Sequence, residues 1–155
     1  MVAWRTRDNR LGPFLVAVVG VRVGFRSPTA GQEMTVSRAK GSKAKCDRLF
    51  SLIIRSRGRC EHCGETRYPQ LQTAHIISRR YSHTRCDLAN AFCLCATCHR
   101  RFTDYPASFG EFVRESIGQL AYDDLVLKSQ ERTKVDWDDV LAELKLVWNK
   151  IEAAA

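Results

Sequence analysis

The sequence predicts a small α+β fold in which four cysteines do part of the work of a large core, with a two-strand hairpin and a helix at the centre and further helices on either side. Three observations predict it. Cys60 pairs with Cys63 and Cys95 with Cys98 as two CxxC units. Two short apolar stretches, Leu71 to Ile77 and Ala91 to Leu94, lie between the first unit and the second. Apolar residues at three- and four-residue steps mark helices before and after. Tetrahedral zinc needs four soft donors, which two tight turns of this spacing supply. The fold class is therefore a small zinc-stabilised α+β domain, the metal clamping both ends of an inserted hairpin.

The elements follow in order. From Lys43 to Arg57 the positions Cys46, Leu49, Phe50 and Ile53 form one face of a helix, and Gly58 is its expected stop. The two apolar stretches suit strands and are separated by a long polar loop rich in arginine, so they pair as a hairpin. A helix beginning near Cys95 or Ala96 carries Cys98, His99, Arg100 and Phe102 until Pro106 ends it. Ser108 and Glu111 form a capping box for the next helix, which contains Phe109, Phe112, Val113 and Ile117 and closes at Gly118. The last helix starts after Asp136, a good N-cap, and Trp137, Val140, Leu141, Leu144, Val147, Trp148 and Ile151 mark a stripe read as core packing.

Charge is distributed unevenly. Residues 1–33 carry 5 basic and 2 acidic side chains, residues 34–103 carry 14 and 4, and residues 104–155 carry 6 and 11, so a central excess of +10 is followed by an acidic tail. Such a centre suits a polyanion, because neutralising phosphates drives sequence-independent nucleic-acid binding. Cysteine usage points to metal rather than to a secreted disulfide framework: four of seven fall in the CxxC pairs, and Cys46, Cys86 and Cys93, which lack paired spacing, read as packed or exposed thiols. His62, inside the first pair, reads as a surface residue because four cysteines already complete the ligand set. The apolar run Phe14 to Val21 is too short to span a bilayer. It imitates a signal peptide, but Pro28 stands where cleavage after Ala30 would need a small residue. The expected location is cytoplasmic, with no membrane partner. Residues 1–33 match neither structural period and are read as a disordered or non-native extension, with Met34 as an alternative start.

Around the second pair the segments AHIISRR, TRCDLAN and LCATCHRRF set His75, Asn90 and His99 in order, the last directly after the second CxxC. This arrangement resembles the HNH endonucleases of the ββα-metal fold over roughly Arg57 to Phe109, and the wording is most similar to stand-alone HNH proteins of phages and prophages. The resemblance implies a hairpin-plus-helix core and a metal-dependent DNA endonuclease. Hydrolysing a phosphodiester needs a base for water and a cation for the developing charge. By resemblance His75 is the general base, and His99 binds a catalytic divalent ion, magnesium or manganese. Asn90 opens the second strand and serves either as a further ligand of that ion or as the residue that fixes the hairpin. Many relatives carry an aspartate or histidine before the base, where this chain has Ala74, and Asp87 or His83 in the loop are candidates to replace it.

Arg79, Arg80, Arg85, Arg100 and Arg101 surround these residues, and a guanidinium fork suits phosphate oxygens. Lys40, Lys43, Lys45, Arg48, Arg55, Arg57 and Arg59 extend the basic surface. The organisation expected is an extension at 1–33, a basic helical lead-in at 34–59, a zinc-bound nuclease core at 60–106 and a C-terminal helical segment at 107–155. DNA is the expected partner, phage packaging proteins a further one. One site per chain implies a monomer or weak dimer that nicks, or that cuts both strands in two events. The competing reading is a catalytically weak or inactive zinc module that binds nucleic acid or a packaging complex.

Overall fold

The computed structural model describes residues 41–154. The expected N-terminal extension and the alternative start at Met34 lie outside the described residues. Helix α1 spans Ser42–Arg55. It buries Cys46, Leu49, Phe50 and Ile53, as the periodicity predicts, together with Leu52 and Ile54. Gly58, at φ 76°, occupies the left-handed region that favours glycine, and there the chain turns into the first cysteine pair.

Strands β1, Leu71–His75, and β2, Ala91–Cys95, pair antiparallel with Leu71 opposite Cys95 and His75 opposite Ala91. β1 is two residues shorter than expected. Ile76 N still donates to Asn90 O at 2.9 Å, but Ile77 N donates to the Asn90 side-chain Oδ1 at 2.7 Å, so a side chain ends the ladder there. All five residues of β2 are buried, and its sequence accordingly shows a continuous apolar run rather than alternation. α1 packs against both strands, while Phe92 meets Phe112 and Phe109 with ring centroids 4.8 and 6.5 Å away.

Helix α2, Ala96–Asp104, follows β2 without a loop. Helix α3, Pro106–Ser129, begins three residues earlier than the capping box predicts. Proline is preset for a first helical turn, so it starts the helix instead of only ending the one before, and no side chain caps it. Gly118, at φ 78° and ψ 162°, breaks the helical geometry where a stop was expected, but a second helical stretch continues at once to Ser129. Helix α4, Trp137–Ala153, is capped as expected: Asp136 accepts from Asp138 N at 2.9 Å and Asp139 N at 3.4 Å.

The stripe on α4 is core packing. Leu141 and Leu144 are buried, and Trp137, Val140, Val147, Trp148 and Ile151 pack on the same cluster as α1 and the hairpin. Burying one such leucine contributes about 1.5–3 kcal/mol. α4 lies along α1, where the Cys46 thiol donates to Trp137 O at 3.3 Å and the Lys43 ammonium sits 5.1 Å from the Trp137 ring centre. Among the described residues no helix is long and apolar enough to cross a membrane.

Leu94, fully buried at the centre of the hairpin, carries a direct test of this packing. Leu94→Ala should lower stability by about 2–5 kcal/mol, seen as a lower urea midpoint at an unchanged slope.

Candidate functional site

The four sulfurs of Cys60, Cys63, Cys95 and Cys98 lie within 4.8 Å of one another. Zinc–sulfur bonds of about 2.3 Å in a tetrahedron put sulfurs roughly 3.8 Å apart, so the cluster can hold zinc after a small contraction. Two local features build it. Gly64, at φ 79°, closes the first turn, with Gly64 N donating to Cys60 O at 2.9 Å. That turn docks on the free edge of β2, where Glu61 N donates to Cys93 O at 2.8 Å and Cys93 N to Glu61 Oε2 at 2.5 Å. Burial pushes the Cys60 thiol up, but backbone N–H groups of Cys63, Cys95 and His62 outweigh it and bring it down to about 7. A thiolate is thus available near neutral pH. His62 is exposed, as expected, but it is not idle: its Nδ1 lies 3.3 Å from Cys98 Sγ and its ring meets Phe102 and Phe112 edge-on.

Cys46, Cys86 and Cys93 stay outside the cluster. Burial raises them to about 11, 12 and 12, which keeps them protonated and unreactive.

His75 ends β1. Its Nε2 lies 3.0 Å from the backbone carbonyl of Arg85. A carbonyl only accepts, so Nε2 carries the proton and Nδ1 keeps the lone pair. Burial, and then the charges of Arg79 and Arg85, hold this histidine below its ordinary value of 6.5, against opposing effects of the Arg85 carbonyl and Asp47. Phe50 supplies much of that burial, with ring centroids 5.3 Å apart. The imidazole is therefore neutral at pH 7.

His99 lies on α2 one turn after Cys95. Its Nδ1 is 2.6 Å from Gln72 Oε1, an acceptor on β1. The proton then sits on Nδ1 and Nε2 is left as the donor atom for a cation, the arrangement in which a neighbour fixes the tautomer of a ligating histidine.

The two histidines share a cleft of ≈650 Å³. α1 forms one wall with Asp47, Ser51 and Arg55, β1 the floor with Gln72, Thr73 and His75, and Arg79 and His99 close the sides. Asn90 is not among its lining residues. It is fully buried beneath the loop, its Nδ2 donating to Ile77 O at 3.0 Å and Thr84 O at 2.8 Å and its Oδ1 accepting from Ile77 N. Every polar atom of that amide is spent on the fold of residues 77–84. Ala74 is 3% exposed, belongs to the core and is not among the residues that line the cleft.

Asp87 and His83 are likewise engaged elsewhere. Asp87 caps residues Leu88–Asn90 and pairs with Lys128 of α3 at 2.5 Å, while His83 bonds Thr133 O at 2.8 Å and lies 3.2 Å from Glu131. Both tie the loop to the end of α3, and neither lines the cleft.

The arginines divide. Arg79 lines the cleft, and Arg100 and Arg101 are exposed on α2 beside His99. Arg80 is exposed and folds over Tyr81, 4.8 Å from the ring centre. Arg85 is held by Asp47 at 2.7 Å through two bonds. Arg57, expected on the basic surface, is turned inward to Leu88 O at 3.0 Å, Ala91 O at 2.9 Å and Glu61 at 2.9 Å.

Asp47, Ser51, Gln72, Thr73 and Ser78 are polar cleft residues that sequence reasoning did not single out as site residues, whereas Arg55, expected on the basic surface, lines the cleft as well. Asp47 had one signal: it is the sole acidic residue between positions 34 and 59.

A family model described as HNH endonuclease matches residues 60–109, which hold both cysteine pairs, the hairpin, α2 and the first residues of α3. This domain points to nuclease activity and to a nucleic-acid substrate. Helices α1 and α4 lie outside the match. Neither the curated proteins nor the solved structures gave a significant match.

The sulfur cluster makes a prediction independent of activity. Elemental analysis of the purified chain should find one zinc per chain, and Cys95→Ser should lose it. Chelation should lower the melting temperature, because binding free energy of a structural zinc is folding free energy.

Proposed function

We propose that the chain is a metal-dependent DNA endonuclease that hydrolyses phosphodiester bonds with His75 as general base and His99 as ligand of a catalytic divalent ion. The observation that carries the reading is the shared cleft: two imidazoles from different elements open into it with opposite nitrogens tied down, His75 by Nε2 and His99 by Nδ1.

The chemistry follows from those two lone pairs. His75 Nδ1 takes a proton from water as its oxygen attacks phosphorus, and a neutral imidazole does this well near pH 7. The bond from phosphorus to the 3′-oxygen breaks, leaving 5′-phosphate and 3′-hydroxyl ends as the family resemblance implies. A divalent ion, when bound, stabilises charge on the phosphate and the departing oxygen. His99 Nε2 would hold that ion, with water and substrate oxygens as the remaining donors available to it. An imidazole donor with no adjoining carboxylate favours manganese over magnesium, which prefers oxygen. Arg79 and Arg55, at the cleft, are placed to grip the scissile and neighbouring phosphates, with Arg100 and Arg101 extending the track. Asn90 acts as the fixing residue of the two roles its position offers, since its amide is consumed by the loop. A chain with one such cleft nicks a single strand per event.

A second reading has one observation in its favour. Many members of the resembled family carry an aspartate or histidine as a metal ligand where this chain has the buried Ala74, and a module that binds nucleic acid through its zinc fold without cutting fits that loss.

Plasmid nicking separates the two. The native chain should nick with manganese faster than with magnesium and not at all in chelator, and His75→Ala should lose about 100-fold or more of the rate while binding persists. Binding with no His75-dependent nicking selects the module.

The pH dependence has a definite sign. A base held below 6.5 is lost only when pH falls through its lowered value, so the acid limb of kcat/KM should have its midpoint below 6.5. A midpoint above 6.5 contradicts His75 as the base.

A further inference from the structure

We infer that Asp47 and Arg85 are positioning residues for His75: the carboxylate of Asp47 locks the Arg85 side chain, and the residue so locked holds its backbone carbonyl on the Nε2 of the base. This rests on the nuclease reading above and deepens it, because it assigns to a helix outside the matched segment a part in orienting the base.

The geometry carries the inference. Arg85 Nε donates to Asp47 Oδ1 at 2.7 Å and Arg85 Nη2 to Asp47 Oδ2 at 2.7 Å, a two-pronged pair that fixes the plane of the guanidinium. The third nitrogen, Nη1, donates to Arg79 O at 2.5 Å. Each of the three nitrogens thereby donates to a protein acceptor, and the side chain is mostly buried. A guanidinium committed in this way does not turn to grip a phosphate, although its charge and place in the loop suggest that role. What it holds is its own main chain. The carbonyl of that main chain receives the His75 Nε2 proton at 3.0 Å, the one polar contact of the ring among the described residues.

The consequence for the base is specific. A neutral imidazole exchanges its proton between the two nitrogens unless an acceptor prefers one. Phe50 packs on the ring but has no means of choosing a nitrogen. The Arg85 carbonyl chooses Nε2, leaving the lone pair on Nδ1, and the Asp47 bond adds to the loop ties that keep it in place. Asp47 supplies one anchor from α1, the helix that α4 packs along. The Asp47 charge also favours protonation of His75, in part offsetting the charges of Arg79 and Arg85, which oppose it.

The test compares the full chain with Asp47→Asn and Asp47→Glu in two measurements: steady-state nicking, and the ring-nitrogen NMR signals of His75, which report its tautomer. Asp47→Asn should lower kcat by about tenfold, the order seen when the outer partner of a working histidine is removed. KM should stay within about twofold, since no substrate contact is lost. The same variant should convert an Nε2–H signal to a mixture of tautomers, and Asp47→Glu should restore both readouts in large part. A fall in KM with kcat unchanged would show that the released Arg85 grips phosphate instead of positioning the base, and an unaltered tautomer in Asp47→Asn would overturn the inference outright.

Two arms keep the outcome decisive. If the native chain nicks nothing, the nuclease reading fails, and the tautomer comparison still decides whether Asp47 orients the ring. If Asp47→Asn does not fold, solvent exchange of the Arg85 Nε proton in the native chain decides: protection supports the lock, and exchange at the rate of a free surface arginine refutes it.

Discussion

Four sulfurs meeting at one point are the constraint on which the rest of this structure depends. A hairpin of two five-residue strands is marginal in water by itself. Here the first cysteine turn closes onto the free edge of β2, and the second opens α2 directly from the end of that strand. A single ion held at the cluster would therefore fix three things together: the edge of the sheet, the start of the helix and the return of the chain from α1. The pairing register then propagates outward. With Leu71 opposite Cys95, His75 falls at the far end of the hairpin beside the loop, and His99 falls one helical turn beyond the metal-side end. The two imidazoles are set at their stations by the cluster, although neither touches it.

The long loop between the strands is organised by a second, smaller device. Asn90 places one amide in a fully buried position and bonds the backbone on both sides of the loop. Burying an amide costs several kcal/mol unless all its partners are present, so the site is stable only in this loop conformation. Asp87 and His83 then moor the outer part of the loop to the end of α3. The Arg85 carbonyl that meets His75 thus hangs from a segment tied at three places.

The cysteine pairs, the order of His75, Asn90 and His99, and the helical stripes were legible in the sequence because spacing alone encodes them. Partners distant along the chain were not. Arg79 and Arg85 look alike in sequence, yet one lines the cleft and the other is bound to Asp47, 38 positions away. The same holds for Arg57, whose guanidinium is used on the carbonyls of Leu88 and Ala91 and on Glu61. A central excess of +10 therefore overstates the cations free to meet a polyanion. Asn90 was ambiguous for a different reason: an amide both donates and accepts, and only the positions of the loop carbonyls decide which role it fills. Pro106 carries two meanings at once, ending α2 and starting α3, and the capping box at Ser108 lost to it.

The helices outside the matched segment complete the cleft rather than merely decorate it. A hairpin and one helix hold both histidines but would leave His75 open to water on the side of Phe50. α1 closes that side, and its burial of the ring is the largest cause of the depressed basicity that keeps the imidazole neutral. Position on α1 matters as much as apolarity, because Asp47 and Phe50 lie three residues apart on one face and so reach Arg85 and His75 from a single turn. α4 in turn packs along α1 with Leu141, Leu144 and two tryptophans in the same core cluster, bracing the helix that carries Asp47 and Phe50. The acidic C-terminal half thereby contributes to the cleft through packing, while the basic centre supplies the groups that line it.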